Sequence, residues 1–314
     1  MWSKFTNLMS KKIVFMGTPE FAVPTLETLA SSDYEVVCVY TQRPKKSSRG
    51  LKLNPSAVQI AAEKLNLTVK CPTNLNDEKE YNFFKALNPF ITIVVAYGKI
   101  IPKKYFNLSK KGFINIHASL LPKWRGAAPI QRSIINHDKE SGISVMKIIE
   151  GLDNGPYMRQ VKVNIDGQTT SGVLSKKLSF LGASNVLDCL NLIKSNSAKF
   201  IDQDDQKATY AKKIDKLESK IQWDKNAKDI LSKINGLNPS PGAWLKYEGQ
   251  RFKVWKAKIS ENKGNPGEIL EDNFVVACKD KSIEILEIQK EGKGILPIKD
   301  FLTGNKIYKG KNIF

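Results

Sequence analysis

KKIVFMGTPEFAVPTLETLA, residues 11–30, changes periodicity halfway along its length. Lys12–Met16 reads as a strand rich in Val and Ile. Gly17-Thr18-Pro19-Glu20 then breaks it, and a helical pattern runs from Pro19 to Ala30, with Pro19 suited to a first helical turn. Strand, tight turn and helix in that order open a βαβ unit, and the same alternation continues outward. Glu35–Tyr40, Ile91–Ala96, Phe113–Ile116 and Ile143–Ile149 read as further strands, and Pro55–Leu65 and Asp77–Leu87 as helices. The expected fold is α/β, a doubly wound and mostly parallel sheet. Ile91–Ala96 is apolar almost without interruption, as suits a central strand covered on both faces. The turn at Gly17 carries Pro and Glu where a dinucleotide fingerprint needs glycines, and no G-x-x-x-x-G-K-[ST] occurs anywhere in the chain. Neither a nicotinamide enzyme nor a P-loop nucleotidase is supported.

The pattern changes after the polar stretch Asp202–Lys207, which reads as a linker. Asp224–Asn235 has Ala227, Ile230, Leu231 and Ile234 on one helical face and an Asp suited to the N-cap. Asn238-Pro239-Ser240-Pro241-Gly242 forces turns, and strand-like runs follow at Arg251–Ile259, Phe274–Lys279 and Ser282–Gln289. Alternation slips phase at Val254-Trp255 and at Ile285-Leu286, which predicts bulges in a strongly curved sheet, a small β-barrel of about a hundred residues. A length of 314 residues fits two such domains and a core that needs no disulfide or metal staple.

Fifty Lys and Arg against 31 Asp and Glu leave a net charge of +19. That balance points to a polyanionic partner, nucleic acid before membrane surface. Only six of the 50 are Arg, and AT-rich codon usage alone produces such a Lys bias. Placement argues for the partner. No acid lies between Glu80 and Asp138, where nine basic residues occur, nor between Glu35 and Glu63, where Arg43, Lys45, Lys46, Arg49 and Lys52 occur. The segment after Gln206 adds 22 basic residues against 14 acidic ones. Cys38, Cys71, Cys189 and Cys278 are widely spaced and form no C-x-x-C pair, which argues against disulfides and zinc and fits a reducing cytoplasm. The N-terminal residues contain no apolar run fit for a secretory signal and no segment approaches a membrane span, so a soluble, cytoplasmic protein is expected.

NIHASLLPKWRGAAPIQ, residues 115–131, carries the chemistry. Asn115 and His117 are two apart on a predicted strand, so their side chains point the same way. They lie at its C-terminal end, where open α/β sheets place their crevice. An amide donor beside an imidazole suits a developing oxyanion and a moving proton. The pair alone reads more readily as a buried His and Asn satisfying backbone groups. Asp153, in Glu150-Gly151-Leu152-Asp153-Asn154-Gly155-Pro156, is either a turn former or a carboxylate that orients His117 or takes a proton. His137, in the polar run Asn136–Glu140, reads as a solvated loop residue.

Residues 11–29, 94–102, 115–131 and 150–156, continuing through YAKKIDKLESKIQW (210–223) and NPSPGAWL (238–245), closely resemble the methionyl-tRNA formyltransferases over nearly the whole chain. Asn-x-His with a downstream Asp marks only the wider group of folate-dependent formyltransferases; SLLPKWRGAAPIQ and the C-terminal part are more specific. The resemblance implies a Rossmann-like catalytic domain over residues 1–200, a linker over 201–211 and an oligonucleotide-binding-like barrel that binds tRNA over 212–314. It implies transfer of a formyl group from 10-formyltetrahydrofolate to the methionine amine of initiator methionyl-tRNA, with no metal, no membrane and a monomeric chain. Asn115 and protonated His117 would stabilise the formyl oxygen, and Asp153 would keep His117 charged and help move the amine proton. Ser119, Leu120, Leu121 and Pro122 match the folate-binding stretch, helped by backbone around Tyr97 and Gly98. The Thr41–Leu53 loop matches an insertion that contacts the tRNA acceptor end, Arg43 for a specific contact and Lys45, Lys46, Arg49 and Lys52 for phosphates. Residues 1–10 form an extension; family chains tend to begin near Met9, which implies that residues 1–8 are a misassigned start or a dispensable tail. Two rivals stay open: a formyltransferase or formyl hydrolase for a small molecule, which has no use for a basic second domain, and a catalytically dead RNA-binding protein, which has no use for the three polar residues.

Overall fold

In the computed structural model, which describes residues 11–47 and 52–313 (the side chains of 46, 47 and 52 aside), the opening apolar run is a strand, β1 (Lys12–Gly17). The expectations for residues 1–10 and for Arg49 fall outside the described residues. The strands that follow are β2 (Glu35–Tyr40), β3 (Lys45–Ser47), β4 (Lys52–Asn54), β5 (Val69–Lys70), β6 (Ile91–Val95), β7 (Phe113–His117), β8 (Arg125–Gly126), β9 (Glu140–Lys147), β10 (Tyr157–Asn164) and β11 (Tyr210–Ala211). Described residues fall into two compact units, one of residues 11–127, 142–163 and 175–210, the other of residues 128–141, 164–174 and 211–313.

The first unit is built on a seven-stranded sheet of order β10-β9-β7-β6-β1-β2-β5. From β5 to β7 every pairing is parallel, and β9 runs antiparallel to β7. All five residues of β6 are buried between β1 and β7, so the uninterrupted apolar run is the central strand its composition implies. Gly17 is required where β1 turns away, because a Cβ there would lie 2.7 Å from the Phe15 ring and 2.9 Å from the Ala22 methyl. Pro19 does not begin the α-helix. It precedes a 3-10 turn, Glu20–Ala22, and the α-helix starts at Val23, where Pro24 at the second residue supplies the preset φ. Ser56, rather than Pro55, caps the helix Ala57–Lys64, its hydroxyl accepting from Gln59 N–H at 2.9 Å. Asp77 caps Glu78–Leu87 in the same way. The long helix Ser171–Lys194 contributes Leu178, Val186, Cys189 and Leu190 to the core, and its Ser179 hydroxyl donates to the Phe21 carbonyl.

In the second unit β12 (Ala243–Tyr247), β13 (Gln250–Ser260), β14 (Ile269–Glu271), β15 (Val275–Ala277), β16 (Ser282–Lys290) and β17 (Ile295–Pro297) form one curled antiparallel sheet of order β12-β13-β16-β15-β14, with β17 also on β16. Both phase slips are bulges, and they face each other. Trp255 and Leu286 are skipped in the β13–β16 register while Val254 and Ile288, then Ala257 and Ile285, stay paired. The curl wraps Phe252, Val254, Ile283 and Ile285 around the helix Ala227–Gly236, which buries Ile230 and Ile234. Asp224 does not cap that helix. It starts at Ala227, whose N–H is taken by the Asp280 carboxylate from a distant strand end at 2.8 Å. His137 is not a solvated loop residue either: Nε2 lies 2.8 Å from Asp229 Oδ1 and Nδ1 2.8 Å from the Ser232 hydroxyl, so the imidazole clasps the helix Pro129–Ile135 to Ala227–Gly236. Among the described residues no helix is long and apolar enough to cross a membrane.

Candidate active site

Strand β7 sets out Asn115 and His117 on one face, and parallel pairing makes the loops after β1, β2, β6 and β7 leave the same edge of the sheet. His117 is 6% exposed. Its Nε2 lies 2.9 Å from the Trp124 carbonyl, an atom that can only accept, so Nε2 carries a proton. That leaves Nδ1 as the nitrogen where a proton is gained or lost, and it faces Asp153 Oδ2 at 3.7 Å, an ion-pair distance too long for a hydrogen bond. Asn115 Nδ2 reaches Asp153 Oδ1 at 3.4 Å. The three side chains singled out in the sequence therefore converge on one carboxylate.

Asp153 adopts a left-handed backbone, φ 48°, a conformation Asp tolerates better than most residues. Two loops fix it. Gly126 N–H donates to Oδ2 at 2.9 Å, and Gln203 Nε2 donates to the carbonyls of Asp153 and Gly155 at 2.8 and 2.7 Å. Gln203 Oε1 in turn accepts from Arg125 Nε at 2.9 Å, and Arg125 Nη2 donates to Asp205 at 2.7 Å. Thr209 completes the strap, its hydroxyl accepting from Trp124 N–H and its carbonyl from Arg125 N–H. Sequence reasoning missed Gln203 and Thr209, since a lone Gln or Thr in a polar stretch has no periodicity to mark it.

The stretch Ser119–Pro122 is held from behind by the adjacent strands. Ser144 on β9 accepts from Leu121 N–H and donates to the Ser119 carbonyl, and Gln160 on β10 donates to the Leu121 carbonyl at 2.7 Å. Ser119 is buried, its hydroxyl donating to the Lys123 carbonyl at 2.6 Å, and Leu121 is buried too, so the loop offers the half-buried Leu120 and Pro122 rather than that hydroxyl. At the end of β6 the carbonyls of Tyr97 and Gly98 both accept from Gln42 Nε2, and the Tyr97 carbonyl also accepts from Thr18. Gly98 has φ 75° and passes so close to Gln42 that a Cβ would lie 2.4 Å from Nε2. The Tyr97 ring packs into the core, and burial pushes its hydroxyl well above the ordinary phenol range. Beside Asp153, Asn154 Oδ1 is buried with no hydrogen-bond partner among the described residues.

The loop that carries the basic residues leaves the sheet after β2, which is separated from β7 by β1 and β6, three strand spacings or about 14 Å. Lys45 and Lys46 lie on β3 and Lys52 on β4, which pair as a hairpin in the register Lys46↔Leu53. Arg43 Nη1 donates to Thr73 Oγ1 at 2.9 Å, and Lys99 Nζ donates to the carbonyls of Pro72 and Thr73. Burial, then the neighbouring charge of Arg43, pushes the Lys99 ammonium below its usual range. The acid-free stretch is less free of acids in space than in sequence. Arg125 is buried against Asp205, Arg132 pairs with Glu218, and Lys103 with Glu150, so these three do not belong to an open basic rim. Among the described residues no three His, Cys, Asp or Glu side chains converge as a metal site.

Residues 11–190 match the family model Formyl transferase, and residues 213–306 match Formyl transferase, C-terminal domain. A methionyl-tRNA formyltransferase from Pelagibacter ubique (strain HTCC1062) is 50% identical over 307 residues, 97% of this chain and 99% of the relative. Two solved structures share the fold: a sugar 3N-formyl transferase, WlaRD, with a TM-score of 0.66 at 22% identity over 90% of this chain and 98% of that one, and a methionyl-tRNA formyltransferase from Clostridium thermocellum, with a TM-score of 0.56 at 18% identity over 79% and 93%. With its two family domains in order and half its residues shared with such an enzyme end to end, the chain belongs to the methionyl-tRNA formyltransferase family.

Proposed function

We propose that this protein moves the formyl group of 10-formyltetrahydrofolate to the methionine amine of initiator methionyl-tRNA, with a catalytic part over residues 1–200, a connecting stretch over 201–211 and a tRNA-binding part over 212–314. The observation that carries the reading is the convergence of Asn115, His117 and Asp153 at the carboxyl end of β7, in a chain of this family. The folate supplies an electrophilic formyl carbon. Asn115 Nδ2 and protonated His117 Nδ1 donate toward the formyl oxygen as negative charge gathers there. Asp153 is the proton acceptor within reach of both and moves the amine's proton toward the departing folate nitrogen, directly or through water.

Backbone of Ser119–Pro122 and of Tyr97–Gly98, in the loops that follow the neighbouring strands β7 and β6, bounds the folate site. The unpartnered Asn154 Oδ1 supports that assignment, because the ring edge of a pterin carries N–H donors that such an acceptor satisfies. Arg43 takes a specific contact at the acceptor end, and Lys45, Lys46, Arg49 and Lys52 take phosphates. The protein acts as a cytoplasmic monomer without metal. The test is formyl transfer from 10-formyltetrahydrofolate to charged initiator tRNA, run beside free methionine. Transfer to the charged tRNA alone is expected; equal transfer to free methionine, or none to either, would overturn the reading.

A further inference from the structure

The second unit contains a cleft that the formyl-transfer chemistry does not use. It has a volume of about 490 Å³, and its walls include Lys216, Ser240, Arg251, Lys253, Gln289 and Glu291. Alternation along β13 builds it. Phe252 and Val254 point into the core, so Arg251 and Lys253 share the outer face, beside Gln289, which pairs with Lys253 across β16. Past Lys253 the Trp255 bulge changes the phase, and the Trp255 indole donates to Gln289 Oε1 at 3.0 Å, which fixes that amide.

Three cations line this cleft, and among the described residues none has an acidic partner; Arg251 lies over the Trp244 ring at 4.3 Å. Stacking holds the guanidinium plane in place before any ligand arrives. Among the described residues, Arg251 Nε and the Nε1 of Trp244, the ring it stacks on, are both buried without a hydrogen-bond partner, two donors left over behind the Arg251 wall. Such donors are costly to leave unmet and are satisfied by an acceptor that the protein itself does not supply. Glu291 is the exception to the positive lining, and it decides what kind of anion fits. A carboxylate repels bare phosphate but accepts from the amino group or hydroxyl of a nucleoside. We infer that this cleft is a nucleotide-binding site in which Lys216, Arg251 and Lys253 take the phosphate and Glu291 takes a base N–H or ribose O–H. On the reading proposed above, the nucleotide belongs to the tRNA; a free nucleotide presents the same groups.

The experiment uses the full chain and four proteins: wild type, Lys216→Gln/Lys253→Gln, Arg251→Gln and Glu291→Met, with melting temperature as the control for folding. Affinity for tRNA is measured by fluorescence anisotropy from about 50 to about 200 mM KCl, and affinity for AMP and for inorganic phosphate by calorimetry. The double lysine variant, at the exposed Lys216 and the half-buried Lys253, is expected to bind tRNA about tenfold more weakly at the low salt, with a log–log salt slope shallower by about one to two. Arg251→Gln weakens binding as well. Glu291→Met also weakens it, because a nucleoside contact is lost, and a tightening would mean that only charge matters there and overturn the assignment. If tRNA affinity is unmoved but AMP binding is lost in the variants, the site stands and its occupant is the free nucleotide. If neither responds, the proposal is wrong. Failure of formylation with the cleft variants still separating from wild type in binding would sink the enzymatic reading and leave the cleft.

Discussion

At the scale of single residues, His117 has one nitrogen committed and one available. The Trp124 carbonyl holds Nε2–H, so the ring cannot turn to offer it, and Nδ1 remains beside Asp153 and Asn115. His117→Ala is therefore expected to lower kcat by at least ~100-fold with the KM for tRNA nearly unchanged. Steady-state kinetics checks this, and a loss shared equally between kcat and KM would make the residue structural. Gln203 acts one step removed. It touches no reacting atom but grips two carbonyls around the left-handed turn of Asp153. Gln203→Leu leaves both carbonyls without their donor and frees the turn, for an expected kcat about tenfold lower, since a carboxylate displaced by a fraction of an ångström is a poorer proton acceptor. The folate and tRNA KM values should stay within about twofold, because the strap does not itself bound either substrate. A KM effect with intact kcat would reassign Gln203 to substrate binding.

Among elements, two helices of the second unit approach closely. Gly236 ends Ala227–Gly236 where a Cβ would lie 2.6 Å from Ile135 Cγ1 and 3.1 Å from the Gln131 carbonyl. Gly236→Ala gains about 0.5–1 kcal/mol of helix propensity and loses about 1–3 kcal/mol to overpacking, so a net destabilisation is expected. Urea denaturation followed through the second unit would show a lower midpoint, and Ile135→Ala, which removes the Cγ1 that the new methyl meets, should cost less in that chain than in the wild type; a midpoint raised by the alanine at 236 would show that the helices separate freely. What could be read from sequence at this scale follows from whether the cause is local. The bulges at Trp255 and Leu286 were legible because a slip in alternation is written into adjacent residues. The start of the helix at Ala227 was not, since its cap comes from Asp280. Strand β10 gave no signal because, at the sheet edge, most of its residues are half-buried and do not alternate. Ser171–Lys194 was obscured by its serines and glycines, one of which, Gly182, lies 3.0 Å by its would-be Cβ from Ile116. In the site, Asn115 and His117 were legible from their spacing of two, whereas the role of Gln203 depends on a fold that returns residue 203 to residue 153.

At the scale of the whole molecule the excess positive charge is the dominant property, and its distribution separates two kinds of contact. A net +19 makes tRNA affinity fall steeply with salt, as cations condensed on the nucleic acid are released on binding. Lys45 on the β3–β4 hairpin is a flexible point charge; Arg43 is already fixed by Thr73 and lies beside the partly buried Lys99. Lys45→Ala should reduce the salt slope by about one or less and leave kcat alone. Arg43→Ala should do more. If the guanidinium fixes the acceptor end, losing it lets the methionine amine drift from the formyl carbon, and kcat falls along with affinity, because a misplaced nucleophile reacts slowly even when bound. Kinetics at three salt concentrations distinguishes the cases, since screening weakens long-range attraction but does not reposition a bound end. Equal losses of affinity in both variants with kcat untouched would reduce Arg43 to one more phosphate contact. A kcat loss confined to Arg43→Ala and unchanged across the salt series would place the positioning of the acceptor end in the loop after β2, a strand three spacings, about 14 Å, from β7 across the sheet.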